Sequence, residues 1–235
     1  MNNIIEVVRN ELRFRSDAKN RESGRRFFKE TIQLYGVRSA EVKRISKENF
    51  KAVRHLSKKE IFDLCEIFWQ SGMIEENFIA CDWSYFLNKQ YETADFAVFE
   101  RWVDKYISNW ATCDTLCNHN MGTLIMMHPG FLKELKRFAE SENRWKKRAA
   151  AVSLIVPARK GYFLPEILDI ANILLTDIDD MVQKGYGWML KESSKAHRQE
   201  VFDYVISKKA IMPRTALRYA IEKMPEEMRK KAMEK

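Results

Sequence analysis

Apolar residues recur at spacings of three and four along nearly the whole chain, and clean strand alternation is almost absent. That pattern predicts helices over 3–15, 22–34, 39–48, 58–71, 74–88, 93–107, 110–126, 130–140, 143–156, 164–175, 178–192, 195–207, 213–224 and 226–234. Start signals accompany several of them. Ser57 stands three residues before Glu60, the spacing of a capping box, and Thr93, Ser141 and Asp177 suit N-cap positions. Pro165 and Pro213 fit first turns, while Gly36, Gly72 and Gly161 follow helix ends, where a left-handed residue is wanted. A series of short helices with brief connections is an all-α architecture.

Composition agrees with a folded helical chain. Its 235 residues are 46% hydrophobic and 12% aromatic, too apolar for a disordered segment. With only 8 glycines and 5 prolines, the chain lacks the turn-formers that a β-sandwich or barrel needs. The longest apolar stretch, Ala149–Ala158, is interrupted by Ser153 and Pro157 and is about half a bilayer long, so no membrane contact is expected. The N-terminus is charged throughout, unlike a secretory signal, and the 4 cysteines fit a reducing cytoplasm better than a disulfide framework.

The helices carry a faint repeat. Residues Trp145–Leu154 align with Met181–Leu190 at an offset of 36, and a looser copy begins at Arg214. Upstream, Phe78–Tyr85 sits near twice that period before Ala149. Each copy joins a basic or polar start, a small residue and an apolar finish, as helix-pair repeats of the HEAT or armadillo kind require. The expectation is one domain over 1–235, a right-handed superhelix of antiparallel helix pairs. Its inner helices would stack Arg148, Lys184 and Arg214 into a basic stripe, with Lys191 on nearly the same face as Lys184.

Charge is distributed in blocks. Residues 1–59 hold 16 Lys/Arg against 7 Asp/Glu, residues 60–131 hold 3 against 11, and residues 132–235 hold 22 against 15. Two basic regions flanking an acidic one suit a polyanion partner, since each neutralised phosphate releases counterions.

Familiar catalytic signatures are missing: no HExxH, Walker A, dinucleotide fingerprint or GxSxG occurs. Cys113, Cys117 and His119 lie close together without the second ligand pair of a structural zinc site, and no metal or cofactor is expected. Trp110 and Asp114 are four apart, so on a helix an indole and a carboxylate share one face. Alone, that pair reads more readily as a core tryptophan followed by a capping aspartate.

Trp110-x-x-x-Asp114, Trp145-x-x-Arg148-x-Ala150, Gln183-Lys184-x-x-Gly187-Trp188-x-Leu190 and Pro213-Arg214 together resemble the AlkD-type family of DNA alkylation-repair glycosylases. Leu34–Arg38 followed by Val42–Ile45 resembles that family's start, so the likeness spans almost the whole chain. It implies a HEAT-like superhelix, catalytic roles for Trp110, Asp114 and Arg148, and a groove role for Trp188. Lys184, Lys191, Arg214 and Arg38 become candidate DNA contacts. Three places depart from the family's habit: Asp179-Asp180-Met181 stands where aromatics are frequent, Lys191 where arginine is frequent, and the stretch Cys113–Met121 is unusual for it.

The implied reaction is hydrolysis of the N-glycosidic bond of cationic N3- or N7-alkylated purines in duplex DNA. Such a base is a good leaving group, and the barrier lies in positive charge developing on the deoxyribose. Asp114 would stabilise that charge and orient water, Trp110 and Trp188 would pack on the sugar, and Arg148 would bind a phosphate and position Asp114. Selectivity would then come from base lability more than from a recognition pocket. A monomer in the cytoplasm, associated with the nucleoid, is sufficient. Two alternatives remain: a non-catalytic binder of bent or branched DNA, and a protein-binding solenoid.

Overall fold

The computed structural model describes residues 2–234, and its regular elements are helices, as the apolar periodicity predicts, apart from one isolated bridge. Contacts divide the chain into two compact units, Met1–Leu116 and Cys117–Lys235. Among the described residues, no helix is long and apolar enough to cross a membrane.

The first unit contains α1 (Asn2–Phe14), α2 (Ala18–Arg25), α3 (Ser39–Val53), α4 (Lys58–Gln70), α5 (Ile74–Phe86), α6 (Asp95–Tyr106) and α7 (Trp110–Thr115). Its core is aromatic. Trp69, Trp83 and Trp102 are buried, with Phe68 set edge-on to Trp83 at 5.2 Å. Two of these three indole N–H groups find acceptors, while Trp69 Nε1 is buried without a hydrogen-bond partner among the described residues. Trp83 donates to the Ser46 carbonyl at 3.0 Å, and Trp102 donates to Glu66, which also accepts from Tyr106 and Arg101. The capping box at Ser57 and Glu60 forms in full.

One predicted helix of this unit is corrected. The segment 22–34 reads as helical, yet α2 lies over Ala18–Arg25, started by the Asp17 carboxylate accepting the Asn20 N–H at 2.7 Å. Residues 29–38 are held extended by tertiary contacts that outcompete local propensity. Gln33 bridges Met73 in parallel, and the buried Glu75 carboxylate accepts the N–H groups of Tyr35, Gly36 and Val37 at 2.8–3.1 Å. Gly36 has φ +87°, and a Cβ there would meet the Asp17 carbonyl at 2.4 Å, so the chain can pass only as glycine.

The second unit contains α8 (Gly122–Met127), α9 (Leu132–Ala139), α10 (Arg144–Val152), α11 (Ile155–Arg159), α12 (Leu164–Ile173), α13 (Asp180–Ser193), α14 (Arg198–Lys208), α15 (Arg214–Ile221) and α16 (Glu226–Met233). Helices α10, α13 and α15 pack in succession, while α12 packs on α9 and α14 on α16. The three sequence copies beginning at Trp145, Met181 and Arg214 fall on this one row of helices. The small residue in each copy is what lets the row close up. Ala149, Ala150 and Ala151 are buried, and a Cβ at Gly187 would meet Tyr219 Cβ at 2.7 Å and the Ala216 carbonyl at 2.8 Å.

Further boundaries shift for local reasons. The predicted 143–156 helix breaks into α10 and α11 because Pro157 has no N–H to give the Ser153 carbonyl. The predicted 110–126 helix is interrupted by a π-helical turn over Leu116–Met121. Three proposed caps are reassigned. Asn143 rather than Ser141 caps α10, Asp179 rather than Asp177 caps α13, and α6 starts at Asp95 with Ala94, not Thr93, before it.

The Gly187 contact makes a test. Gly187→Ala is expected to cost about 1–3 kcal/mol in chemical denaturation, the range for overpacking. Gly130, where an added Cβ has nothing within 4 Å, provides the control, and its alanine variant should stay within about 0.5 kcal/mol of wild type.

Candidate functional site

The chain has 6 tryptophans, and their burial sorts them. Trp69, Trp83, Trp102 and Trp145 are buried, while Trp110 and Trp188 are half-exposed. A large apolar ring left partly in water on a well-packed helix is available for contact.

In the first unit, Trp110 opens α7. Asn109 caps that helix by accepting the Thr112 N–H at 3.0 Å. Asp114 lies one turn on and is half-buried, so the indole and the carboxylate do share a helix face. Trp110 stacks on Phe28 with centroids 5.3 Å apart, and its Nε1 donates to the Phe27 carbonyl at 3.4 Å. Beside it lies a cavity of about 460 Å³, lined among others by Phe27, Phe28, Val37, Arg38 and Trp110. Phe27 is 73% exposed at this cavity. Arg38, which precedes α3, is exposed and carries no ion pair among the described residues. Sequence reasoning missed Phe27 and Phe28 because it placed both inside a helix.

In the second unit, α13 presents Lys184, Trp188 and Lys191. Arg148 projects from α10 against it. Only 5% of Arg148 is exposed, its Nη1 donates to the Met181 carbonyl, and a Cβ at Gly185 would sit 3.4 Å from its Cγ. The guanidinium is thus a fixed charge within the helix row. Arg214, at the first turn of α15, is exposed and has no ion pair among the described residues.

The basic stripe is more neutral than the sequence suggests. Lys184 pairs with Asp180 at 3.2 Å, Lys147 with Asp177 at 2.9 Å and Arg144 with Asp179 at 2.8 Å. Lys191 pairs with Glu222 at 3.0 Å and lies over the Tyr219 ring. That lysine holds the Glu222 carboxyl below the usual range, chiefly through the hydrogen bond. Asp179 is occupied with capping, since its Oδ1 accepts the N–H groups of Met181 and Val182.

Trp188 has a partner that the sequence reading did not name. Its Nε1 donates to Glu192 Oε1 at 3.3 Å, one turn along α13. Glu192 is 5% exposed, and its Oε2 accepts from Arg159 at 2.7 Å and Lys195 at 2.6 Å. Burial pushes this carboxyl up, but the two cations outweigh it and hold the group below the usual carboxylate range. The i,i+4 spacing of Trp188 and Glu192 was legible in principle; the burial of the carboxylate was not.

A depressed carboxyl stabilises the fold above its unfolded pKa, and that contribution is lost as pH falls through the folded one. Thermal unfolding should therefore lose stability on acidification below about pH 4.3, the ordinary glutamate value. Glu192→Gln should flatten that part of the profile; an unchanged slope would detach the acid transition from this carboxylate.

A protein-family model described as DNA alkylation repair enzyme matches residues 8–224. No protein of curated function matches the sequence. Among solved structures, a predicted DNA alkylation repair enzyme from Enterococcus faecalis superposes with a TM-score of 0.80 at 18% identity, covering 90% of this chain and 98% of its own. At that identity the likeness speaks to the fold.

Proposed function

The chain belongs to the DNA alkylation repair enzyme family, and from that premise we propose that it is a DNA glycosylase releasing cationic N3- and N7-alkylated purines from duplex DNA. The observation that carries the reading is the sorting of the tryptophans. The two partly exposed rings are the two to which the family resemblance gives roles, whereas Trp145 of the same resemblance is buried, and one of the two shares a helix face with Asp114.

In this reading the leaving purine needs no strong general acid, because its charge is relieved as the bond to C1′ breaks. Electrons of that bond go to the purine, which departs neutral, and the sugar becomes cationic. Asp114 is the anion that stabilises the sugar and orients the attacking water, whose oxygen bonds to C1′ while its proton passes to the carboxylate or solvent. Trp110 in the first unit and Trp188 in the second each offer a ring face to the DNA, and such a face attracts positive charge through its quadrupole. Arg148, buried and bonded to a backbone carbonyl, supplies a preorganised positive charge. Arg38 and Arg214 are the candidate phosphate contacts that have no carboxylate to give up, whereas Lys184 and Lys191 must exchange Asp180 and Glu222 for phosphate. The two units are taken to act as one domain of a monomer, with double-stranded DNA as partner and the cytoplasm, at the nucleoid, as location.

The experiment is base release from duplex DNA containing N7-methylguanine. Wild type should release the base, and Asp114→Asn should lower the single-turnover rate by about 10²–10³, the scale of preorganised electrostatic groups, with DNA affinity retained. No release by wild type, with salt-sensitive binding intact, would leave a DNA-binding protein without the chemistry. The carboxylate pairing gives a separate prediction. Asp180→Asn frees Lys184, so binding at low salt should tighten and the slope of log K against log salt should steepen by about 0.9 for one added phosphate contact. An unchanged slope would remove Lys184 from the interface.

A further inference from the structure

A carboxylate buried in a helix row costs free energy unless it is paired, and it needs a reason to be there. Glu192 sits toward the C-terminal end of α13, where the helix dipole disfavours an anion, so it is not a cap. Its two oxygens are divided between two tasks. Oε2 is held by Arg159 from α11 and by Lys195 just beyond α13, while Oε1 takes only the indole N–H of Trp188. The cations fix the carboxylate, and the carboxylate in turn fixes the ring.

We propose that Glu192, clamped by Arg159 and Lys195, is a positioning residue that locks the Trp188 indole in the orientation from which it meets the substrate; this rests on the glycosylase reading of Trp188. Two constraints then act on neighbouring residues. Gly187 lets α13 approach α15 closely, which sets where the Trp188 Cα lies. The Glu192 bond sets the rotation of the ring about its side-chain torsions. A half-exposed tryptophan without that bond samples several rotamers, and ordering it on the substrate would subtract from the rate. Acceptance of the N–H by an anion also enriches the ring in electron density, which favours a cation over its face.

The arrangement explains why the acceptor is a charged group and not the backbone. Unlike Trp83, which reaches a carbonyl of another helix, Trp188 has its indole N–H along its own helix, where the carbonyls are engaged by i+4 N–H groups and the acceptor it finds is a side chain. Position i+4 is the one that reaches it. A carboxylate on a C-terminal turn has to be neutralised, and the two cations that do so are themselves half-exposed, at 52% and 43%, and remain hydrated. Removing the negative charge therefore leaves Arg159 and Lys195 able to turn to solvent, and Glu192→Gln is expected to fold.

The test is a double-mutant cycle with Trp188→Phe, which keeps an aromatic ring and deletes the N–H. In the Trp188 protein, Glu192→Gln should slow single-turnover release of N7-methylguanine about tenfold while DNA affinity changes less than threefold. In the Trp188→Phe protein the same change should do nothing further. An equal loss in both backgrounds would mean that Glu192 serves the fold alone, and would overturn the proposal. The indole ¹⁵N–¹H resonance missing from Trp188→Phe identifies Trp188 in wild type without reference to activity. It should be single and slow to exchange with solvent, and should broaden or split in Glu192→Gln. If it is unchanged, the ring is not held by this carboxylate. If wild type releases no base, the glycosylase reading fails, and the resonance still decides whether Glu192 orders the ring.

Discussion

The close approach of α13 to its neighbours is the constraint on which the second unit depends. Three helices can pack in one row at that distance only if the facing positions are small, and alanine on α10, glycine on α13 and alanine on α15 supply them. The consequence is a rigid helix with Trp188 displayed beside Gly187, and a buried arginine beneath Gly185. Substituting larger residues at those positions would displace Lys184, Trp188 and Lys191 as a set, because they share the backbone of α13.

Charge is the second organising term. The chain is basic by +8, yet in the second unit much of the apparent stripe is tied to acids within a few ångströms. These pairs are part-buried, so water and salt screen them less than they would a fully solvated pair. In the proposed reading a phosphate backbone would have to compete with Asp177, Asp180 and Glu222 for their lysines, whereas Arg38 and Arg214 carry no ion pair among the described residues.

Much of this was legible in the sequence, and the reasons are specific. Periodicity of apolar residues gave the helices, and the copies at Trp145, Met181 and Arg214 do stack, because the small residue that marks each copy is also the packing contact. The capping box at Ser57 formed because both of its groups are local. Some boundaries and caps shifted for local reasons, but the largest miss was decided by a distant partner. Glu75, some forty residues away, captures the backbone of Tyr35 to Val37 and keeps residues that read as the end of a helix extended. The candidate residues Trp110 and Asp114 were legible as a pair, but the stacking of Phe28 on Trp110 and the clamp on Glu192 arise from tertiary contacts. Spacing alone cannot tell a buried carboxylate from a solvated one.

The central claim is that a cationic leaving group, stabilised sugar and fixed aromatic faces account for the chemistry. Comparing single-turnover release of N7-methylguanine and of uracil from otherwise identical duplexes tests it most directly. Under the proposed mechanism the charged purine is released with no measurable excision of neutral uracil, because departure is driven by the charge on the base itself. Efficient excision of uracil would contradict it, and would require recognition and activation of the base itself.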